Sequence, residues 1–429
     1  MDNRRLILLL IFCFSLVMTW DAWQKHNQPK PVTATSVTPT PTISAGVPQP
    51  GAALQPGVSA PAVATQAQLG QTFKVKTDLF AAEIASRGGD LVRLELLKHK
   101  DQEDKNKNLV LFEPGHKYYA QSGLIGDNLP NHKTELKLLP GPLEMAEGSN
   151  ELKVRLEAPV SNGVKAVKVL SFKRGSYQID VAWEIENGSP NALAPHAYFQ
   201  IQRDNAAPAG ETQMVSTFTG PAVYTEAEKY QKVGFEDIAK DKAKFNKSAD
   251  NGWLAMVQHY YVSAWVPQGK TPREFFMRKI EGDEKHGVYA AGVILPMNAI
   301  AGGSKDAVSV PLYAGPQEQA TLKQLAEGLD LVVDYGWLAV IAAPIFWFLE
   351  ILHKMVGNWG WAIVLLTIAI KLAFFPLSAA SYRSMAKMRQ VAPRMQHLKE
   401  RFGDDRQRLN QEMMKLYQSE KINPLGGCL

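Results

Sequence analysis

The chain begins with an apolar run, Leu6 to Trp20, that directly follows two arginines. Positive residues before an apolar stretch are typical of a signal peptide or a signal anchor. The small residues that a signal peptidase requires are missing after the run, and Trp20 and Trp23 suit the interfacial zone of a membrane. The sequence therefore favours an uncleaved anchor over residues 1–26, with its N-terminus in the cytoplasm because basic residues remain on that side.

The next part of the chain changes from low complexity to period-two alternation. Residues 27–71 are rich in Pro, Thr, Ala and Gly, which predicts a disordered periplasmic linker. From residue 72 onward apolar and polar residues alternate in short runs, most clearly from Tyr177 to Ile185, as in sheets with one buried face. We therefore predict a periplasmic antiparallel β-sandwich domain over 72–330 that ends in a helix over Gln317–Leu329.

Two apolar segments follow, and their compositions differ. Residues 331–356 contain Pro344 and Glu350, and they predict an interfacial helix on the periplasmic surface. Residues 357–378 predict a second membrane span, whose most apolar part, 361–377, gives about 26 Å of helix. Basic residues crowd behind this span, so its C-terminal end is expected in the cytoplasm.

Residues 379–422 predict a cytoplasmic, basic helical hairpin. Its apolar residues recur at spacings of three and four, the seam of a coiled coil: Met388, Val391, Met395, Leu398 and Phe402, continued by Leu409, Met413 and Leu416. Gly403 to Asp405 predicts a turn and a new N-cap between the arms, and Pro393 is expected to bend or soften the first arm.

Charge is unevenly distributed along the chain. Residues 381–421 hold ten Lys/Arg against five Asp/Glu, which equals the whole net charge of +5. This segment suits an anionic lipid surface or RNA-rich machinery, and equally a solvated helical face.

Motifs for enzyme chemistry are absent from the sequence. There is no phosphate-binding loop, no Gly-x-Ser-x-Gly elbow and no His-Glu-x-x-His. Two cysteines far apart offer neither a disulfide framework for the central region nor zinc-ligand spacing. We therefore expect no enzymatic activity, no cofactor and no metal site.

Lys371 is the residue with the clearest functional interest. It lies about 9 Å from the end of an unbroken helix that reaches Leu377. A charge at that depth usually faces protein or a water-filled cavity, although a lysine near a helix end can also extend to the interface. Thr367 lies one helical turn away on the same face.

The second half of the chain resembles the YidC family of membrane protein insertases in several dense motifs. These are Val-Gly-Asn-Trp-Gly at 356–360, Phe-Pro-Leu-Ser at 375–378, Ser-Met-Ala-Lys-Met-Arg at 384–389, Phe-Gly-Asp-Asp at 402–405, Gln-Glu-Met-Met at 411–414 and Asn-Pro-Leu-Gly-Gly-Cys at 423–428. The predicted order of anchor, large β domain, surface helix and span fits the Gram-negative branch of that family.

The resemblance implies a chaperone-like insertase of the bacterial inner membrane, multi-pass, with a hydrophilic cationic groove in the bilayer that contacts clients. Lys371 matches the charged position, where relatives often have Arg, and Thr367 matches a neighbouring position. The hairpin is implied to recruit clients and partners through these residues: Arg383, Lys387, Met388, Arg389, Arg394, Met395, Arg406, Arg408, Met413 and Met414. The implied partners are nascent hydrophobic membrane proteins, the lipid bilayer, the Sec translocon, the ribosome and a targeting receptor, without direct nucleic-acid specificity.

Relatives of this family continue into a third span, so residues 423–429 are expected to start the next membrane segment of a chain that is a fragment. Two other interpretations remain open. A membrane-anchored periplasmic carbohydrate-binding domain would use aromatic residues such as Trp253, Tyr260, Tyr261 and Trp265, for which core packing is the commoner role. A passive scaffold would tolerate neutralisation of Lys371 and of the hairpin charges.

Overall fold

The computed structural model describes residues 47–51, 70–208, 217–283, 286–403 and 405–420. The predicted anchor (1–26) and the predicted start of a further membrane segment (423–429) lie outside the described residues. The chain forms two compact units, of which the first ends at Pro316 and the second begins at Gln317. The predicted domain boundaries stay predictions, and each unit is treated by itself.

The first unit is a sandwich of two antiparallel sheets. Its strands are β1 (Thr72–Lys76), β2 (Phe80–Ala85), β3 (Leu91–Lys100), β4 (Asn108–Phe112), β5 (Tyr119–Ile125), β6 (Lys137–Leu138), β7 (Glu151–Glu157), β8 (Val164–Lys173), β9 (Gln178–Asn187), β10 (His196–Asp204), β11 (Gly220–Thr225), β12 (Lys229–Lys232), β13 (Ser248–Ala249), β14 (Trp253–Gln258), β15 (Tyr261–Trp265), β16 (Arg273–Glu281), β17 (Val288–Pro296) and β18 (Lys305–Pro316). A short helix, α1 (Phe235–Ala239), lies between β12 and β13. The first sheet has the order β1-β2-β3-β5-β10-β17-β16-β13 with β4 on β3, and the second has the order β12-β11-β14-β15-β18-β9-β8-β7-β6.

The alternation in the sequence decides which faces of these strands are buried. In β9 the side chains of Ile179, Val181, Trp183 and Ile185 are all buried, while the polar residues between them are half-buried. Strand β7 repeats this pattern, with its three apolar side chains buried. The inner faces of the two sheets thus form one apolar core, and the predicted antiparallel β-sandwich is confirmed.

The helix expected at the end of the sandwich is shorter than predicted. Helix α2 covers Gln319–Leu325, and a separate 3₁₀ turn covers Leu329–Val332. Between them Gly328 has φ +71°, a conformation that suits glycine and cannot continue a right-handed helix. The apolar periodicity that extends to Leu329 therefore belongs to two short elements.

The second unit continues with four longer helices. They are α3 (Ala339–Val356), α4 (Trp359–Ala373), α5 (Phe375–Phe402) and α6 (Arg406–Ser419). Asp405 is the N-cap of α6 as predicted, since its carboxylate accepts from the backbone N–H groups of Gln407 and Arg408. Pro393 lies inside α5 and does not end it.

A charged pair is buried inside the sandwich. The Lys168 Nζ donates to the Gly88 carbonyl at 2.8 Å and lies 3.6 Å from Asp90 Oδ1, while Gln121 Nε2 donates to Asp90 Oδ2 at 2.8 Å. The ammonium group also lies 5.6 Å from the centre of the Trp183 ring. Burial raises the pKa of Asp90 to about 7 and lowers the pKa of Lys168 to about 8, and their mutual attraction opposes both shifts. Each group therefore depends on the other to remain charged.

Removal of one partner of this pair is expected to be costly. Lys168→Met should lower the free energy of unfolding by about 3–5 kcal/mol, because it leaves the Asp90 carboxylate buried without its cation. The double variant Asp90→Asn/Lys168→Met should lose clearly less than the sum of the two single variants. Urea unfolding followed by tryptophan fluorescence measures all three losses.

Lys173→Met is the matched control for these Asp90 and Lys168 variants. Lys173 pairs with Asp180 at 2.7 Å on the surface, and its side chain is 51% exposed. Loss of that exposed pair should change stability by about 1 kcal/mol or less. Additive losses for Asp90 and Lys168 would contradict the mutual dependence.

His132 is a buried neutral histidine. Its backbone N–H donates to the Tyr198 hydroxyl at 3.0 Å, so this hydroxyl can donate to His132 Nδ1, which lies 2.5 Å away. Burial, assisted by the nearby cations of Lys133 and Arg278, lowers the pKa of His132 to about 3. The unfolded chain binds a proton on this side chain near pH 6.5, whereas the folded chain does not.

The stability that neutral His132 contributes should be present above about pH 6.5 and lost as the pH falls towards 3. Between pH 6.5 and 4.5 the free energy of unfolding of the natural chain should fall by up to about 1.4 kcal/mol per pH unit more than that of His132→Gln. Urea unfolding at a series of pH values gives both slopes. Parallel slopes would mean that His132 is not held neutral.

Candidate functional site

The most apolar part of the second unit is a pair of helices joined by a tight turn. Helix α3 ends at Gly357, which has φ +66° and donates its N–H to the His353 carbonyl at 2.8 Å. Asn358 then caps α4, since its Oδ1 accepts from the Trp361 N–H at 3.2 Å. The rings of His353 and Trp359 stack across the turn, with centroids 3.9 Å apart. Local capping therefore fixes α3 and α4 as packed neighbours.

The side chains of this pair face outward instead of into a core. No residue of α3 is buried, and Ala362 is the buried residue of α4. Large apolar side chains that are more than 60% exposed include Val340, Trp347, Met355, Trp361, Leu372 and Phe375. An apolar surface of this extent is typical of contact with lipid or protein.

By length and composition α3 is able to cross a membrane, and within the described residues it is the single helix that passes this test alone. Helix α4 has 15 residues, or about 22 Å, and qualifies only together with α5, to which it is bent by 55°. The interfacial placement predicted for 331–356 and the span predicted for 357–378 both stay predictions.

The break between α4 and α5 lies at Phe374, inside the predicted second span. Pro376 stands in the first turn of α5, where a missing N–H costs nothing, whereas in an unbroken helix it would remove the hydrogen bond to the Leu372 carbonyl and its ring would clash with that carbonyl. The prediction of one continuous helix over 361–377 is therefore wrong at Phe374. The Phe-Pro dipeptide was the signal that would have located it.

Lys371 lies in the last turn of α4, two residues before that helix ends, and its side chain is exposed. The helix end itself favours a cation there. The distance from Lys371 to the helix end, which was calculated for an unbroken helix to Leu377, therefore does not apply, because α4 ends at Ala373. Among the described residues no ion pair or hydrogen bond satisfies the ammonium group.

Thr367 lies one turn before Lys371 and is also exposed. Its hydroxyl donates to the Ile363 carbonyl at 2.8 Å within the helix. The hydroxyl proton is thus occupied, while the oxygen remains able to accept a hydrogen bond. The structure places these two polar groups on one face of an otherwise apolar helix.

The seam predicted for the hairpin separates shielded from exposed side chains on α5 and α6. Each of its eight members is buried or half-buried, and Val391 is the most buried. The arms are also joined by the Arg394–Glu420 ion pair at 2.8 Å and by the Tyr417 hydroxyl, which lies 3.2 Å from the Met395 sulfur. Met388, Met395 and Met413 are therefore packing residues, whereas Met414 is 54% exposed.

The predicted basic residues of the hairpin divide into two groups. Arg394 is paired with Glu420, and the Arg408 guanidinium lies 5.5 Å from the centre of the Phe402 ring. Arg383, Lys387 and Arg389 are exposed on α5, and in the described part of the chain none of them forms an ion pair. The side chain of Arg406 lies outside the described part. Arg401, which the sequence analysis did not select, also lies 5.5 Å from the Phe402 ring.

The aromatic residues considered for a sugar site have separate roles. Trp253 stacks on Tyr224 with centroids 5.7 Å apart, and Trp265 packs against Phe199 at 5.1 Å. Both tryptophans are 1% exposed, and Trp265 belongs to the main core of the sandwich. Tyr260 is exposed at a turn, and Tyr261 packs partly against the core.

No group of three or more His, Cys, Asp or Glu side chains in the described ranges could hold a metal ion.

Comparison with known proteins matches both parts of the chain. Residues 72–348 match the family model of the YidC periplasmic domain, and residues 351–429 match the model of the 60Kd inner membrane protein. The membrane protein insertase YidC of Dechloromonas aromatica is 64% identical over 433 residues, which cover all of this chain and 78% of that protein. The protein of the same name from Aromatoleum aromaticum is 57% identical with the same coverage.

Among solved structures, a galactose mutarotase related enzyme from Lactobacillus acidophilus is 7% identical. The similarity covers 57% of this chain and 97% of that enzyme, with a TM-score of 0.36. A structural similarity this low does not support a sugar-binding function.

Proposed function

The chain belongs to the YidC family of membrane protein insertases, and on that premise we propose that Lys371 and the helical hairpin carry its insertion function. Its role is the insertion of membrane proteins into the inner membrane, which is not enzymatic, and its clients are nascent membrane proteins. A periplasmic domain precedes the helical part. The residues that act on a client are the subject of the proposal.

The observation that carries the proposal is the Lys371 cation, which is exposed in the last turn of an apolar helix and has no ion pair among the described residues. A polar client segment that enters lipid loses its hydration, which costs several kcal/mol for each unsatisfied group. A water-filled groove around Lys371 shortens the path through hydrocarbon and attracts acidic client residues. The hydroxyl oxygen of Thr367 adds an acceptor on the same face. The apolar part of the client then partitions into lipid, which drives the transfer.

The hairpin supplies the recruitment surface in this proposal. Arg383, Lys387 and Arg389 form no ion pair among the described residues, so they are free to meet an anionic partner such as lipid headgroups or ribosomal RNA. Met414 adds an exposed, flexible apolar side chain on α6. The ribosome, a targeting receptor and the Sec translocon are the partners that this surface would serve. The basic residues behind the predicted second span support a cytoplasmic position for the hairpin, and the sandwich then lies in the periplasm.

Lys371→Glu should abolish insertion of a client with an acidic N-terminal tail, because repulsion replaces attraction in the groove. Lys371→Ala should impair it less, and Lys371→Arg should retain it, since only the first change reverses the charge. Protease protection of the translocated client tail, in cells that depend on this protein, measures insertion.

Lys354→Glu provides the matched control. Lys354 is exposed in the last turn of α3, so the same charge reversal is made at an equivalent helix position outside the proposed groove. It should leave insertion unchanged. Normal insertion by Lys371→Glu would refute the groove role and leave the passive scaffold as the better description.

Two adjacent methionines test the recruitment surface. A photo-crosslinking residue at position 414 should capture an apolar nascent client, because Met414 is exposed. The same residue at position 413 should crosslink within the protein, because Met413 lies in the seam. Gel analysis of ribosome–nascent-chain complexes after illumination distinguishes the two. Equal client capture at positions 413 and 414 would contradict this expectation. It would show that the hairpin opens, so that the exposure of a side chain in the closed hairpin does not decide which residues contact the client.

A further inference from the structure

A short part of the predicted linker lies on the sandwich. Val47 to Gly51, with the sequence Val-Pro-Gln-Pro-Gly, is half-buried to buried along its length, and the Val47 side chain is only 9% exposed. Val47 packs with Tyr198, Phe276 and Ile294 in a cluster separate from the main core, with Ile125 against its side. A disordered linker does not predict such burial.

The surface under this segment is the outer face of the first sheet. In β10 the neighbours Ala197 and Phe199 point into the main core, so Tyr198 between them points to the opposite face. Strand pairing places Tyr198 beside Ile294 on β17. The segment therefore covers an apolar row that crosses β5, β10, β17 and β16.

Two glycines let the aromatic rings of this row lie flat on the sheet. Tyr198 pairs with Gly123, and a Cβ on that glycine would lie 2.5 Å from the Tyr198 hydroxyl oxygen. Phe276 pairs with Gly292, where a Cβ would lie 2.5 Å from the end of the Phe276 ring. The rings thus occupy the space above the glycines and form a flat aromatic floor under Val47.

Polar contacts fix both the floor and the segment. The Gly51 N–H donates to Glu274 Oε2 at 2.6 Å, and Gly51 has φ +76°, which ends the extended run with a turn. His132 holds the Tyr198 hydroxyl from the side, as described above, and the Arg278 guanidinium lies 5.5 Å from the centre of the Phe276 ring.

The composition of the segment suits this surface. Pro48 and Pro50 have no N–H group to satisfy, and proline holds a chain extended, so docking costs little conformational entropy. Recognition of proline-containing extended peptides on aromatic floors relies on the same two properties.

We propose that the outer face of the first sheet is a binding groove for an extended Val-Pro-x-Pro-Gly segment, and that the linker of the same chain fills it. Docking of this segment divides the linker. Only 20 residues, 27–46, then connect the predicted anchor to the sandwich, whereas without docking the connection would be 45 residues, 27–71. At full extension these spans are about 70 Å and about 150 Å. The groove thereby shortens the free part of the linker between the predicted anchor and the sandwich.

Even a weak groove holds its own linker. Twenty residues connect Gly51 to Thr72, and connections of this length give effective concentrations on the order of 1 mM. A segment that binds as a free peptide with a Kd of about 0.1 mM is then about 90% docked within the chain, and it raises the apparent Kd of a competing peptide about tenfold.

The test uses the whole chain in detergent and a fluorescent peptide with the sequence of residues 45–53. Val47→Asp should release the segment, because a charged side chain cannot lie on the aromatic floor. The peptide should then bind Val47→Asp about tenfold more tightly than it binds the natural chain, as fluorescence anisotropy measures. Hydrogen exchange should become faster at the Gly51 amide in Val47→Asp.

Val58→Asp, a second valine of the same linker, should change neither measurement. Phe276→Ala combined with Val47→Asp should lose peptide binding, and its thermal melting temperature reports whether the sheet remains folded. Equal peptide affinity for Val47→Asp and the natural chain, or a Gly51 amide that exchanges equally fast in both, would overturn the proposal.

Discussion

Apolar side chains have to leave water, and the two units of this chain meet that requirement in opposite ways. The sandwich turns the apolar faces of its sheets towards each other and completes its core internally. Helices α3 and α4 pack together and still present most of their large apolar side chains outward. The second unit thus leaves an apolar surface outside its own packing, and such a surface is typical of contact with lipid or protein.

Lys168 and Lys371 show two different surroundings for a lysine side chain. Lys168 is removed from water inside the sandwich, and a carboxylate, a carbonyl and an aromatic ring surround its ammonium group. Lys371 lies on an apolar helix without such partners among the described residues. The first arrangement satisfies a charge permanently and is structural. The second leaves the charge accessible, as the proposed contact with clients requires.

The outer face of the first sheet extends the same reasoning to the linker. A flat aromatic floor over two glycines is an apolar surface that would otherwise meet water. A proline-containing segment covers it at low entropic cost and keeps a polar contact through one backbone N–H. Its position in the sequence, between the predicted anchor and the sandwich, connects this local packing to the length of linker that stays free.

The sequence alone determined the elements that depend on local periodicity. Alternation from Tyr177 to Ile185 located β9 and its buried face, and the spacing from Met388 to Phe402 located the hairpin seam. Neighbouring residues on a strand or a helix have fixed directions, so their pattern reports which side is buried without knowledge of the partner.

Tertiary structure decided the features that depend on residues distant in sequence. The Asp90–Lys168 pair, the contact of Val47 with Tyr198 and the division of the methionines into packed and exposed required strand order and helix pairing, which no local pattern contains. The helix break at Phe374 is an intermediate case, because Pro376 signalled it locally while the apolar run concealed it. Hydrophobic periodicity specifies faces, and only the packing of those faces against each other brings the polar groups between them together.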